Sequence, residues 1–324
     1  MNILVVGGAG YIGSLMTRRL KDVGHTPIVL DDLSTGNRAS VHDSITFYHG
    51  DLGDENILKR IFNKEKIELV MHFAAKLSVP ESLAQPDNYY RNNVAKPLVL
   101  LDVMRKHGCN LFIFSSSSAT YGIPKYLPID EKHPTDSISP YGLSKRMLEL
   151  ILKDYHSAFG LRSVSLRYFN AAGAAIDGSM GESQRVKQNL IQIALDNLKN
   201  GRETIVYGTD YETRDGTCIR DYIHIEDIVE AHIKAIDHIN KGNGFDIFNL
   251  GTERGTTVKE ILDMISKVSS SEMKIKYAGR RPGDPPELVA SYRKAQTILG
   301  WTPKYSNLET IIRSAYTWHF NRAY

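Results

Sequence analysis

Tyr141-Gly142-Leu143-Ser144-Lys145 sets a phenol and an ammonium four residues apart, on one face if the segment is helical. A phenol titrates near pKa ~10 and is a poor base at neutral pH unless nearby positive charge favours the phenolate, which a lysine does. The same spacing on a solvated helix is only an i,i+4 pair, so context decides. That context is Phe114-Ser115-Ser116-Ser117-Ser118-Ala119-Thr120-Tyr121-Gly122, a polar run leaving an apolar segment at its carboxyl end. Parallel α/β sheets bind their ligands there.

A second constellation lies near the start. Gly7-Gly8-Ala9-Gly10-Tyr11-Ile12-Gly13 satisfies G-x-G-x-x-G from Gly8 and G-x-x-G-x-x-G from Gly7. Residues without Cβ permit a tight turn and close approach of backbone to a pyrophosphate, and the helix that follows offers free N–H groups to the phosphates. Asp31 ends the second apolar run 18 residues after Gly13, where a carboxylate can accept hydrogen bonds from ribose hydroxyls. Asp32 adds a second negative charge that would repel a 2′-phosphate, so the pattern predicts NAD rather than NADP. Arg18, Arg19 and Arg38 could argue the other way, but read as solvated helix and loop charges. An oxidised nicotinamide ring would join Lys145 in acidifying Tyr141.

These residues need a scaffold, and the hydrophobic pattern supplies one. Ile3–Val6, Pro27–Leu30, Ile45–Tyr48, Leu69–Phe73, Leu111–Phe114 and Ser163–Leu166 read as strands, uninterrupted rather than alternating, as expected when both faces are covered. Helical stretches lie between them: Tyr11–Val23 stopping at Gly24, Asn88–His107 stopping at Gly108, and one opened by Ser139-Pro140 and stopping at Gly160. The series predicts an α/β fold with a doubly wound (Rossmann) parallel sheet. From about Ala171 the rhythm loosens into helices near Gln184–Asn200, Ile225–His238 and Val258–Val268 and a Gly/Pro-rich loop over Gly279–Pro286. Ile247–Leu250 reads as a strand returning to the main sheet, so a smaller C-terminal domain interleaves with the first.

Composition narrows the classes. At 324 residues the chain exceeds one ordinary domain, and 42% hydrophobic residues provide for a large core. A net charge of 40 − 37 = +3 offers no basic stripe for a nucleic acid. Two cysteines, Cys109 and Cys218, suggest a reducing compartment. With no apolar run of ~18 residues and no basic leader before an apolar segment, the expectation is a soluble, cytoplasmic protein with no membrane partner. The eleven histidines are scattered, without zinc spacing, and no metal is expected. His72 reads as the cap of a buried strand, and His224 as a structural neighbour of Arg220-Asp221. Asp215 and Asp221 do not read as an acid/base pair, and Leu143, Met147, Leu148, Ile151 and Leu152 form a stripe for core or dimer contact.

The glycine turn, the serine run and Tyr141/Lys145 resemble the extended short-chain dehydrogenase/reductase superfamily, in its nucleotide-sugar-modifying branch. Further blocks are similar to those of the UDP-glucose 4-epimerases, over essentially the whole chain: Arg167–Asn170, Asp215–His224, Asn249–Thr252 and Arg281–Asp284. The resemblance implies an NAD-dependent isomerase that interconverts UDP-galactose and UDP-glucose. Sugar C4 is oxidised transiently, the 4-keto sugar turns about its diphosphate linkage, and hydride returns to the other face. Residues 1–170, with a returning segment near 225–250, would form the NAD domain, and 171–324 mainly the UDP-sugar domain.

Carried over residue by residue, Tyr141 is the catalytic base and acid, and Lys145 lowers its pKa and holds a nicotinamide ribose hydroxyl. Ser117 hydrogen-bonds the reacting hydroxyl, with the register among the four serines open by one. Gly7, Gly10, Tyr11, Ile12, Gly13, Asp31, Asp32, Phe73, Ala74, Ala75, Asn92 and Ser115 line the cofactor, Asp51 and Leu52 its adenine side, and Phe169 its nicotinamide. Asn170, Asn189, Leu190, Tyr207, Arg220, Arg281, Asp284 and Leu288 match the substrate site, with Tyr207 stacked on uracil and both arginines on the diphosphate. The resemblance also implies a homodimer through the helices at Asn88–His107 and after Pro140.

Two positions depart from the family pattern. Some members carry Gly-Leu-Lys after the Phe-Ala of the fourth strand, the lysine contacting the NAD pyrophosphate. Here Phe73-Ala74-Ala75-Lys76 puts the lysine one position early, so either a local shift brings Lys76 to the phosphates or it points elsewhere. Leu288 stands where the family has a residue walling the sugar pocket, and without a phenol's reach it would admit an N-acetyl group, so UDP-GlcNAc and UDP-GalNAc are further expected substrates. Rival readings are a UDP-pentose or UDP-uronate 4-epimerase, a dehydratase, or a non-catalytic NAD-sensing protein. Ser117-Ser118-Ala119 lacks the acidic pair of dehydrating relatives, and the intact Tyr141/Lys145 speaks against a mere sensor.

Overall fold

In the computed structural model, which describes residues 1–183, 189–242, 244–281, 283–322 and 324, the apolar runs pair into one parallel sheet. In chain order the first elements are β1 (Asn2–Val6), α1 (Tyr11–Asp22), β2 (Thr26–Asp31), β3 (Thr46–His49), α2 (Glu55–Glu65), β4 (Leu69–His72), α3 (Val79–Ala84), α4 (Pro86–Tyr90), α5 (Lys96–Lys106), β5 (Leu111–Ser117), α6 (Pro140–Phe159) and β6 (Arg162–Tyr168). There follow β7 (Asn170–Ala172), α7 (Leu190–Lys199), β8 (Thr204–Tyr207), β9 (Ile219–Arg220), β10 (Tyr222–His224), α8 (Ile225–Asn240) and β11 (Phe245–Leu250). The chain ends with β12 (Thr256–Thr257), α9 (Val258–Ser269), β13 (Ile275–Ala278), β14 (Glu287–Leu288) and α10 (Leu308–Phe320).

The seven-stranded order is β11-β6-β5-β4-β1-β2-β3, with β1 and β4 adjacent. The direction of winding reverses between those two strands, leaving a crevice at their carboxyl ends. Side chains alternate across the sheet. Ile3 and Val5 of β1 pack with Leu15 of α1 and Ile228 of α8, while Leu4 and Val6 pack with Ile61 of α2, Leu100 of α5 and Leu148 of α6. Coverage on both faces is why the strands read as unbroken apolar runs. A separate core joins α7, α9 and α10 through Leu195, Ile265 and Ile311. No helix of the described residues is long and apolar enough to cross a membrane.

Three elements differ from the sequence reading. The helix read over Asn88–His107 is α4 and α5 joined by a π-helical turn at Arg91–Ala95; Pro97 in the first turn of α5 lacks an N–H, and the altered bonding absorbs the missing donor. The helix read from Gln184 is seen from Leu190, residues 184–188 lying outside the described ones. Strand β5 does not end at Phe114 but carries Ser115, Ser116 and Ser117, each in register with β6, opposite Leu166, Arg167 and Tyr168. Backbone pairing with a neighbour extends a strand past its apolar residues. Helix α6 carries the punctuation expected of it: Ser139 Oγ accepts Gly142 N at 3.2 Å, Pro140 sits in the first turn, and Gly160 is left-handed at φ 69°. Losing such an N-cap costs about 1 kcal/mol.

Candidate active site

The glycine turn sits at the crevice. Gly7 has φ 83°, and a Cβ there would lie 2.6 Å from Ala74 N; one on Gly13 would lie 2.1 Å from Gly7 O. Both are required by a backbone folded on itself and on Phe73-Ala74-Ala75, whose first two amides bond Val6 O. Gly10 caps α1 with no side chain, and Tyr11 and Ile12 start the helix, packed on the core. Asp31 Oδ2 accepts Ala9 N at 2.9 Å and Oδ1 accepts Leu33 N, so this buried carboxylate ties β2 to the glycine turn. Burial raises its pKa against those bonds. Asp32 is exposed and accepts from Ser34. Arg18 pairs with Asp177, and Arg38 lies 4.7 Å over the Phe47 ring. An open helix N-terminus, a cradle that Cβ atoms would fill and a carboxylate at the end of β2 fit a dinucleotide such as NAD.

Beyond β3, Asp51 pairs with Lys96 at 2.5 Å and Leu52 is buried. Asn92 lies in the π-helical turn and donates to Asn93, which binds Lys76 N and Ser144 Oγ. Lys76 Nζ is 3.2 Å from Glu81 Oε1, a partly exposed pair.

At the carboxyl end of β5 three consecutive serines meet three residues of α6. Ser115 O accepts Lys145 Nζ at 2.8 Å. Ser116 Oγ donates to Glu149 Oε1 at 2.6 Å. Ser117 is the next residue of the strand, and it acts to lower the pKa of the Tyr141 phenol. Ser116 is thus turned to Glu149, Ser117 ends the strand, and Ser118 begins the next turn. Tyr141 is 9% exposed and Lys145 3%. Burial raises the phenol pKa, with Ser117 acting in the opposite direction, and burial pulls Lys145 down to about 7. Burial thus works against ionisation of the phenol, and a positive charge beside it, such as that of an oxidised nicotinamide ring, would favour it. Tyr168 and Phe169 lie where β6 passes into β7.

Sequence reasoning missed the ion pair behind this site. Glu149, fully buried, receives Arg167 Nε at 2.8 Å and a second guanidinium nitrogen at 2.5 Å. Its signal was a carboxylate at i+4 from Lys145, inside the stripe of Leu148 and Leu152. That stripe divides: Leu148 and Leu152 are core, whereas Met147 lines an open apolar groove of about 380 Å³ with Tyr90, Val94 and Leu98.

The remaining residues gather on short strands. Arg220 of β9 is ion-paired with Asp284 and stands in register beside Leu288 of β14. The Arg281 guanidinium lies 3.9 Å over the Tyr207 ring, occupying one of its faces. Asn170 donates to Asp221 O at 2.9 Å, and Asn189 donates to Glu182. A cavity of about 130 Å³ brings Asn170, Asn189 and Leu190 together with Tyr11, whose hydroxyl donates to Gly173 O and so joins the glycine turn to this side. Asp215 is bound to Thr217 and Thr257, and Asp221 to Thr252 and Ala290 N; the two are turn anchors. His224 is a structural partner of Ser314, not of Arg220.

Residues 3–251 match the NAD dependent epimerase/dehydratase family, and the chain belongs to it. Its relatives are narrower in kind. It is 46% identical over 322 residues to the UDP-glucose 4-epimerase of Rhizobium meliloti (strain 1021), covering 99% of this chain and 98% of that one. The crystal structure of UDP-glucose 4-epimerase from Brucella ovis in complex with NAD superposes with a TM-score of 0.95 at 45% identity, over 97% of each chain. The UDP-Glc/GlcNAc 4-epimerase of Campylobacter jejuni gives 0.87 at 40%, over 98% of this chain and 99% of that one.

Proposed function

We propose that this protein interconverts UDP-galactose and UDP-glucose as an NAD-dependent 4-epimerase, with Tyr141, Lys145 and Ser117 as the catalytic residues. The observation that carries the reading is the buried phenol and ammonium at the crevice edge, Lys145 Nζ donating to the Ser115 carbonyl, in a chain nearly half identical to UDP-glucose 4-epimerases along its whole length. NAD, when bound, accepts and returns the hydrogen of sugar C4, so the reaction has no net redox change. Gly7, Gly10–Gly13 and Asp31 hold it, with Asp51, Leu52, Phe73–Ala75, Asn92 and Phe169 alongside. Tyr141 removes the 4-hydroxyl proton and gives it back after the sugar has turned; Ser117 orients that hydroxyl; Lys145 stabilises the phenolate. Residues 1–170 with 225–250 serve the cofactor, and 171–324 mainly the UDP-sugar.

Inversion requires a nucleotide held firmly and a sugar held loosely. Arg220 and Arg281 are the guanidinium forks for the diphosphate, Tyr207 the platform for uracil, and Asn170, Asn189, Leu190, Asp284 and Leu288 the walls. Leu288, together with the relative that acts on both UDP-Glc and UDP-GlcNAc, supports N-acetylhexosamines as further substrates. The apolar groove at Tyr90 and Met147 supports a homodimer, and two free, buried cysteines suit the cytoplasm. The test is purified protein with UDP-galactose, anomer-resolved NMR reading the appearance of UDP-glucose. Unchanged UDP-galactose in the presence of bound NAD rejects the function. No exchange between UDP-GlcNAc and UDP-GalNAc rejects the wider specificity alone.

A further inference from the structure

Glu149 is a carboxylate with no access to solvent, one turn of α6 beyond Lys145. Its two oxygens are met from three elements: Ser116 of β5 at 2.6 Å, Arg167 of β6 at 2.5 and 2.8 Å, and Arg146 of its own helix at 3.2 Å. Arg167 in turn lies 4.7 Å over the ring of Tyr121, whose hydroxyl donates to Asn249. A buried charge so fully ligated is expensive to desolvate, and a hydrophobic residue would pack α6 on the sheet at least as well. Its place invites a role other than packing: the strand end it grips carries Ser115 and Ser117, and the helix it sits on carries Tyr141 and Lys145.

We propose that Glu149 is a positioning residue of the epimerase reaction, supplying the buried negative charge that keeps Lys145 an ammonium behind Tyr141 and locking the serine strand to α6. The inference rests on the epimerase reading above. The other groups around Lys145 do not supply that charge. From β4, His72 is kept neutral by burial, its pKa down at about 3; from α8, His232 is likewise neutral, at about 4. From β5 come the Ser115 carbonyl and the Phe114 ring, 4.8 Å from Nζ; from β6, Tyr168 is a phenol that burial keeps protonated. On α6, Tyr141 is protonated until it reacts. Against the burial that pulls Lys145 down to about 7, Glu149 is the charge that pushes it up.

The test is the pH profile of kcat for UDP-galactose, between pH ~6 and ~10, in NAD-loaded wild type, Glu149→Gln and Glu149→Asp. The proposal expects Glu149→Gln to move the alkaline limb down by about one pH unit, with roughly tenfold lower activity near pH 9 and a much smaller loss near pH 6.5. Glu149→Asp, which keeps the charge, should leave the limb within about 0.3 unit of wild type. A uniform loss at every pH, with the limbs unmoved in Glu149→Gln, or an equal displacement in Glu149→Asp, overturns it. Should Arg167 left unpaired prevent Glu149→Gln from folding, Arg167→Met takes a positive charge from the same cluster and should move the limb in the opposite direction, upward, and a limb that stays in place or moves down overturns the proposal. Wild type without epimerase activity would refute the function itself; active wild type with an unmoved Glu149→Gln limb refutes only this inference.

Discussion

At the carboxyl end of β5, Tyr141, Lys145, Glu149 and Arg167 are each less than a tenth exposed, and they are held by a seven-residue strand and a twenty-residue helix. Around β9 and β14 the same kinds of side chain sit on two-residue strands and loops: the Arg220 side chain is 13% exposed, its partner Asp284 29%, and Arg281 is open to solvent. Burial at the first site is what shifts pKa values, and rigid elements keep a proton donor in place. Exposure at the second would let a charged nucleotide enter and leave without a large desolvation cost, and Arg220 pairs with Asp284 while Arg281 lies over Tyr207. On the proposed function, chemistry and recognition would fall to regions of opposite dielectric character.

Substitutions should separate the two regions by the parameter they change. Tyr141→Phe removes the proton carrier while keeping the ring; kcat should fall by about 10³-fold or more, with bound NAD unchanged by absorbance after denaturation. Residual turnover within tenfold of wild type would mean the buried end is not the reacting end. Arg281→Ala should instead raise the KM for UDP-galactose by about 10–100-fold and alter kcat by less than about threefold, the loss of a charge-assisted contact made equally in ground and transition states. A kcat effect as large as that of Tyr141→Phe would erase the distinction.

The smallest effect is on stability, and its sign follows from the buried histidines. Burial holds His72 at about 3 and both His224 and His232 at about 4, whereas an unfolded chain protonates histidine near ~6.5. Each excluded proton tilts stability by about 1.4 kcal/mol per pH unit, so stability is complete above ~6.5 and is lost as pH falls toward ~4. Asp221, raised to about 7 by burial, works in the opposite direction over the same interval. The three histidines outweigh Asp221 and the smaller upward shifts of Asp31, Glu131 and Asp227, leaving a net loss of about 1–2 kcal/mol per pH unit. Melting temperatures measured from pH ~7 to ~4.5 should fall accordingly, and His232→Phe should flatten the fall; a flat wild-type curve would show that these rings can be protonated in place.

Much of this was legible before any coordinates. Unbroken apolar runs announced a sheet covered on both faces, and Ser139-Pro140 and Gly160 marked both ends of α6 because capping chemistry is local. The glycine turn, Asp31 and the Tyr141/Lys145 spacing are local too, since a turn that excludes Cβ atoms and a helical i,i+4 pair are written in adjacent residues. The short strands β9, β12 and β14 left no such trace, because two residues show no period and exist only through partners far along the chain.

What required the tertiary structure was pairing between residues distant in sequence. Four serines in a row are chemically equivalent until β6 fixes the register of the first three, and only then does Ser116 turn inward to Glu149 while Ser115 offers its carbonyl to Lys145. The direction of Lys76 is likewise a tertiary matter, its Nζ lying 3.2 Å from Glu81 Oε1 on the next helix. The sequence by itself determined which groups are available and which backbone can carry them. Their charge states were decided by the fold, since desolvation and the position of a counter-charge belong to the packed molecule and not to any single segment.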